Sequence, residues 1–483
     1  MKLSTLSLAW PVVLTSLAVS LNLCHALIAE SFSGWENTHY LRTVDLSRSY
    51  VKETALIQIK NVDTKPISEY YFTVNDGFDA VAEIAAVTFS VEQGSQKLEL
   101  AGELVGPKMY KLDLPIPVAP ASTAELAINT IYLGSLQPLP AKIGINAVQQ
   151  LLLQANKYPY SPYTTKEYSM TFTGIRKGQE MELFLSEDIV VSDVPTLKPR
   201  VDNKALVYGP ISHDIEPFTL VPMGLLYDHN RALGVVENLN RSIWIPASDV
   251  EQLPAEEYYE LTNKGAQLNT GFSRVDWMKG RYDASNHWAL NQLNFPFTPD
   301  NSFDDYYYSD LVGAVSTHQT LKNTLVLQPR FPLFGDWHYN FTLSWNYKLS
   351  KFVHKAHDSQ DTYVAKVPLV NSLVDTTYNN VYLSFYLPEN AEFVDVSSPI
   401  SFESVIVDNE LSYLDVSKGH VKVTLHYKNA IDAFNNLDVL IVYKYTKASY
   451  IYKVLKISGF VFAGLVSYYL LGLIDLRVSE EEK

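Results

Sequence analysis

The side chains best equipped for chemistry lie in two short strings. Asp304-Asp305-Tyr306-Tyr307-Tyr308-Ser309-Asp310 sets three carboxylates beside three phenol rings. Paired carboxylates can act as acid and base on a glycosidic bond. The plainer expectation is a solvated acidic turn leading into a tyrosine-rich strand, because a catalytic pair must face each other across a cleft. His354 and His357, followed by Asp358, are the second string. In strand-rich surroundings an H-x-x-H pair points its imidazoles to opposite faces, so no metal site is expected there. There is no G-x-S-x-G elbow, phosphate loop or H-E-x-x-H helix. Catalytic, cofactor-binding and metal-binding residues are all expected to be none.

Two segments fall outside any globular fold. Met1-Lys2 is followed by an uncharged, mostly apolar stretch and then Cys24-His25-Ala26, the pattern of a secretory signal cleaved after Ala26, with Ala29 as the alternative. Cys24 is the one cysteine of the chain, so cleavage leaves the mature protein without a thiol or a disulfide. Near the other end, residues 457–474 form an uncharged apolar run, the signature of a transmembrane helix, followed by an acidic nine-residue stretch, 475–483, expected to be a cytoplasmic tail. A single-pass type I membrane protein follows, with its bulk in the lumen. Lys447, Lys453 and Lys456 then stand on the lumenal side, against the positive-inside tendency. Gly459, Ala463 and Ser467 recur every four residues along the run, a small-residue stripe suited to helix packing.

A lumenal location makes two acceptor sequons reachable, Asn240-Arg241-Ser242 and Asn340-Phe341-Thr342. Both asparagines are expected to carry N-glycans.

These residues must be held by a β-rich scaffold. The chain has 483 residues, 32 of them tyrosine, with 47% hydrophobic side chains, so it is neither disordered nor short of core. Its formal net charge of −15 disfavours a nucleic-acid partner. Ala55, Ile57 and Ile59 alternate with partly polar neighbours, as Val421, Val423, Leu425 and Tyr427 do, which is the period of a half-buried strand. The continuous run Val439-Leu440-Ile441-Val442-Tyr443 predicts a strand covered on both faces. Ile145, Val148, Leu152 and Ala155 have helical spacing and predict a helix, with Pro159 and Pro162 close behind. Pro and Gly punctuation after Tyr208 places a boundary near 222–230. The strings Glu69–Thr73 and Tyr382–Tyr386 echo each other and suggest two related halves. The expected organisation is a signal peptide at 1–26, β-sandwich-like domains at 27–225 and 226–446, a membrane helix at 457–474 and the tail. In Arg330-Phe331-Pro332-Leu333-Phe334-Gly335-Asp336-Trp337, Pro332 and the preceding Pro329 bar a central strand and Gly335 permits a tight turn. Phe331, Phe334 and Trp337 are therefore expected to plug a core, with presentation of an anchor surface as the alternative.

Several strings together resemble the ribophorin I family, the alpha subunits of the oligosaccharyltransferase complex. They are Arg42-Thr43-Val44-Asp45-Leu46-Ser47, Tyr160-Ser161-Pro162-Tyr163 with Thr165-Lys166, Tyr208-Gly209-Pro210, and Gly271-Phe272-Ser273-Arg274-Val275-Asp276-Trp277. Tyr307, Asp310, Gly313, Ser316 and Thr317 follow, and then Arg330 to Trp337. The resemblance implies an endoplasmic reticulum membrane protein with two lumenal β-rich domains and no catalytic site or cofactor of its own. It would assist transfer of a preassembled glycan from dolichyl diphosphate to Asn-x-Ser/Thr. Its partners would be the catalytic and small membrane subunits and nascent polypeptides. Members usually show Gly-Gly-Trp where this chain has Gly335-Asp336-Trp337. A type I cargo receptor or lectin-like binder is the alternative, and a lumenal hydrolase built on the Asp304–Asp310 string is a further one.

Overall fold

The computed structural model describes residues 32–473, apart from 82, 94–95, 184–188, 196, 203–204, 248–249, 281–286, 300, 358–360, 413–414 and 416. The expected signal peptide, Cys24 and the tail lie outside the described residues.

The chain divides into two units between Asn230 and Arg231. The division falls later than 225/226 because strand Pro222–Asp228 pairs along its whole length with Gln150–Asn156 and belongs to the first unit.

Each unit is built on an eight-stranded sheet. In the first the strands are β1 (Trp35–Asp45), β2 (Val51–Asn61), β3 (Glu83–Gln93), β4 (Gln96–Leu100), β5 (Thr123–Leu133), β6 (Thr165–Thr173), β7 (Arg200–Asp202) and β8 (Ala205–Ile211), in the order β7-β8-β6-β1-β2-β5-β3-β4. In the second they are β9 (Gly234–Trp244), β10 (Gln252–Asn263), β11 (Asp304–Asp310), β12 (Gly313–Ala314), β13 (His338–Lys348), β14 (Thr376–Tyr386), β15 (Ser404–Glu410) and β16 (His420–Ile431), ordered β15-β16-β14-β9-β10-β13-β11-β12. Adding eight to each label of the first sheet reproduces the second. Both sheets place a parallel pair at the centre, β1 with β6 and β9 with β14. Both shift register at the same place, between Asn37 and His39 on β1 and between Val236 and Asn238 on β9. A smaller four-stranded and a three-stranded sheet accompany each large one. The units are therefore two copies of one fold. The echoing strings are not counterparts, however: Glu69–Thr73 lies in a three-stranded sheet, whereas Tyr382–Tyr386 lies in β14, the counterpart of β6.

The alternation read in the sequence sets the layers. Ala55, Ile57 and Ile59 are buried on β2, and Val423, Leu425 and Tyr427 on β16, each facing a core closed by the smaller sheets. Phe72 of a three-stranded sheet meets Phe89 of β3 edge to face at 6.0 Å, and Tyr259 of β10 meets Phe295 likewise at 6.0 Å. Two expectations change. Gln150–Asn156 is a strand, because its Leu151, Leu153 and Ala155 alternate into the core while the helical spacing ran over a preceding loop. Strand Asp438–Lys444 buries Val439, Ile441 and Tyr443 fully but leaves Leu440 and Val442 half-buried, so it has one core face rather than two.

A 26-residue helix, Lys447–Gly472, closes the second unit. Thr446 caps it by accepting from the Ser449 backbone N–H at 3.1 Å. It is long and apolar enough to cross a membrane, and none of its residues is buried. At about 1.5 Å per residue it is about 39 Å long, more than a hydrocarbon core of about 30 Å needs.

Candidate functional site

Asp304–Asp310 is strand β11 itself, at the rim of the second sheet. Its carboxylates separate. Asp304 accepts from the Ser302 hydroxyl at 3.0 Å. Asp305 is exposed with φ 49° where β11 slips register against β13. Asp310 accepts from Arg330 Nε at 2.5 Å and from the Val312 and Gly313 backbone N–H groups at 2.9 and 3.1 Å. Burial pushes the Asp310 carboxyl up, but the guanidinium and the two amides outweigh it and hold the group below the usual carboxylate range. Oδ1 of Asp310 thus closes the turn after β11, and Oδ2 is taken by Arg330 and, at 3.5 Å, by the Tyr339 hydroxyl. Tyr308 donates to or accepts from Tyr339 at 2.7 Å, deep in the core. The arrangement offers no facing pair of carboxylates.

His354 lies on the short strand Val353–Lys355 and His357 in the turn after it; Asp358 is outside the described residues. Among the described residues no group of three or more His, Cys, Asp or Glu side chains is arranged to hold a metal ion.

Three of the strings instead meet at one place. Phe334, fully buried, is ringed by Phe272, Trp277, His287, Trp288 and Trp337 at centroid distances of 5.7, 5.6, 6.3, 5.0 and 5.4 Å. Arg330 ties the start of that loop to β11 and β12, reaching Asp310 and the Ala314 carbonyl at 3.1 Å. A Cβ on Gly335 would lie 2.2 Å from the Gly265 carbonyl oxygen and 2.3 Å from that of Ala266, so only glycine lets the two backbones touch. The left-handed residue of the turn is Asp336, with φ 62°. Aspartate tolerates that region, and Asp336 is anchored by its N–H to the Asn263 carbonyl at 2.8 Å and by its carboxylate to Gln267. Asp336 thus serves the turn at the position where the resemblance implies a second Gly. Trp337 is only half-buried and Phe331 is 39% exposed, so Phe334 alone plugs the core as expected.

The first unit's strings are likewise joined through buried polar groups. Asn37 donates to the Ser161 and Thr165 hydroxyls at 3.0 and 3.2 Å. The Tyr71 backbone N–H donates to the Tyr163 hydroxyl at 3.1 Å. Arg42 donates to Glu53 at 2.8 Å and to the Asn156 carbonyl at 2.5 Å. Sequence reasoning missed this ion pair and a similar one in the second unit, Arg241 with Glu257, whose side chains are both fully buried; the two arginines are counterparts, but Glu257 stands where the first unit has Ala55. Arg42 and Arg241 stand seven residues beyond Trp35 and Gly234, the first residues of β1 and β9. The signal available was a charge at an inward position of an alternating strand; Arg241 was read only as the middle of a sequon.

Asn240 and Asn340 lie on the opposite, outward face. Asn240 is exposed at the middle of β9, and Asn340, on β13, is half-buried with its amide donating to the Tyr258 hydroxyl at 3.1 Å. Both flank β10: Asn240 is opposite Tyr258, and Tyr258 is opposite Thr342. Their counterparts in the first unit are Leu41 and Glu125, beside Leu56 and Ala127, so only the second copy carries acceptors on this face. On the helix, a Cβ at Gly459 would meet nothing within 4 Å, and Ala463 and Ser467 are exposed.

These residues also place the chain among known proteins. The family model described as Ribophorin I matches residues 35–472. "Dolichyl-diphosphooligosaccharide--protein glycosyltransferase subunit 1" of Schizosaccharomyces pombe is 25% identical over 430 residues, covering 87% of this chain and 91% of the relative. The Caenorhabditis elegans protein of the same name is 24% identical over 420 residues, covering 86% and 68%. Subunit 1A of Arabidopsis thaliana is 24% identical over 453 residues, covering 90% and 69%. With a match that spans both units and the helix, the chain belongs to the ribophorin I family.

Proposed function

We propose that this protein is an accessory subunit of an oligosaccharyltransferase complex of the endoplasmic reticulum, supporting protein N-glycosylation without supplying a catalytic group. The observation that carries the reading is the family match over residues 35–472, with relatives named subunit 1 of the dolichyl-diphosphooligosaccharide–protein glycosyltransferase. The geometry is consistent with it. The family strings close turns, satisfy buried polar groups and pack rings, which are the tasks of a scaffold. A scaffold can raise a partner's rate by holding substrate and enzyme at high effective concentration.

In this reading helix Lys447–Gly472 spans the membrane, both units lie in the lumen, and the signal is removed after Ala26. Gly459, Ala463 and Ser467 pack against a helix of another subunit, and Asn240 and Asn340 carry glycans. Nascent polypeptides pass within reach of the lumenal units, and no cofactor is bound by this chain. The test is purification of the tagged full-length protein in mild detergent with identification of what accompanies it. Recovery of a polytopic glycosyltransferase with other membrane subunits is expected, and Gly459→Leu with Ala463→Leu should reduce that recovery. Recovery of secretory cargo without a glycosyltransferase would favour the cargo-receptor alternative.

A further inference from the structure

The first turns of helix Lys447–Gly472 lie outside the uncharged run and carry Lys447, Lys453 and Lys456. Lys453 is not free in solvent. Its Nζ lies 2.9 Å from Asp415 Oδ1 and 3.0 Å from Glu389 Oε2, and both carboxylate side chains are 0% exposed. Glu389 stands just beyond β14, and Asp415 in the connection between β15 and β16, so both belong to the body of the second unit. The two groups are held independently of the helix. Glu389 Oε1 accepts from the Ser417 N–H at 2.6 Å, and Asp415 Oδ2 accepts from the Ser412 N–H at 2.8 Å. His420, on β16, brings Nε2 within 3.4 Å of Asp415, and its Nδ1 is 2.7 Å from the Leu387 carbonyl oxygen.

Two carboxylates taken out of water are costly unless a cation compensates them. Here that cation comes from the membrane helix. An exposed pair would be screened and weak, but a lysine held between two buried acids is a fixed point. A single covalent link at Thr446 would leave the helix free to pivot on the domain, whereas this second attachment lies about two turns further along.

We infer that Glu389 and Asp415 form a socket that locks the membrane helix to the second unit, so that the helix and the sheet move as one body and the lumenal domain keeps a fixed orientation over the bilayer. The inference rests on the reading that this helix spans the membrane. It also gives the basic end of the helix a reason to stand on the lumenal side, since the charge of Lys453 is met by the protein's own acids. A partner packed against the helix within the bilayer is thereby held in register with the sheet above it.

The test uses the full-length protein in lipid nanodiscs with spin labels at Lys428→Cys on β16 and Leu465→Cys on the helix. The distance distribution between them is read by pulsed electron resonance. A single narrow distribution is expected for the parent protein, and a broadened or split one for Glu389→Gln with Asp415→Asn. Because Lys453→Met alone leaves buried acids uncompensated and can unfold the region, the decisive variant is Lys453→Met with Glu389→Gln and Asp415→Asn. It removes every charge of the socket and should broaden the distribution while leaving the unfolding temperature unchanged. An equally narrow distribution in the triple variant overturns the socket. Accessibility of the Leu465 label to water-soluble rather than lipid-soluble relaxants in the parent protein overturns the spanning reading itself, whatever the distances show.

Discussion

Phe334→Ala should be among the most damaging single substitutions in the second unit. The ring is fully buried and contacts five other rings. Truncating a buried Phe to Ala costs about 3–5 kcal/mol, and the cost rises when the surroundings cannot collapse into the space. Collapse is hindered here because Gly335 already has its backbone against Gly265 and Ala266. The upper half of that range is therefore expected, against a total stability of about 5–15 kcal/mol. For a unit of this size 1 kcal/mol moves the midpoint by about 2–4 °C, so a fall of about 8–20 °C should be seen. Tryptophan fluorescence during thermal unfolding of the full-length protein is a suitable assay, because Trp277, Trp288 and Trp337 line the site. Phe331→Ala is the internal control: it is 39% exposed and should cost about 1 kcal/mol or less. Trp337→Ala, half-buried, should fall between the two. Equal losses for Phe334→Ala and Phe331→Ala would refute the assignment of Phe334 as the plug.

Three further outcomes follow from the same structure. Arg241→Met should destabilise by about 3–5 kcal/mol by stranding Glu257, and adding Glu257→Gln should restore part of the loss, as denaturant unfolding will show. Burial raises the Tyr168 phenol from 10.0 to about 12. A raised pKa means its contribution, on the order of 3 kcal/mol, is intact below pH 10 and is lost as pH rises through about 12. Alkaline titration followed by phenolate absorbance should therefore show Tyr168 ionising only with unfolding, and early reversible ionisation of every tyrosine would contradict this. Glycosidase treatment should shift the wild-type band, with a smaller shift for Asn240→Gln and for Asn340→Gln, and no change in either variant would remove that site.

The β-rich class and the core faces of individual strands were legible because alternation records burial directly. Val423, Leu425 and Tyr427 show it, and so do Ala55, Ile57 and Ile59. The duplication was legible only as a suspicion. Its true signature is pairing order and register, which join residues far apart in sequence, such as β1 with β6, and local strings cannot carry it. The expected helix through Ile145 and Leu152 failed because a loop and a strand together imitated a 3.6-residue period. The Arg330–Trp337 string announced a turn correctly, but the reason for Gly335 is a neighbouring backbone some seventy residues away in the chain, beyond any local reading. The Arg42–Glu53 and Arg241–Glu257 pairs were invisible because a charge at an inward position looks like an interruption until its partner strand is known.

The central claim is that this chain supports glycan transfer without a catalytic group, and it is tested most directly by turnover of the assembled complex. Complexes carrying Asp304→Asn, Asp305→Asn or Asp310→Asn should be purified and given an acceptor peptide and a lipid-linked oligosaccharide, with rates normalised to catalytic-subunit content. Most of the wild-type rate is expected in each, because Asp304 bonds a neighbouring hydroxyl, Asp305 is exposed and Asp310 is spent on Arg330 and a turn. Loss of turnover in any one of them, with assembly and abundance unchanged, would contradict the account.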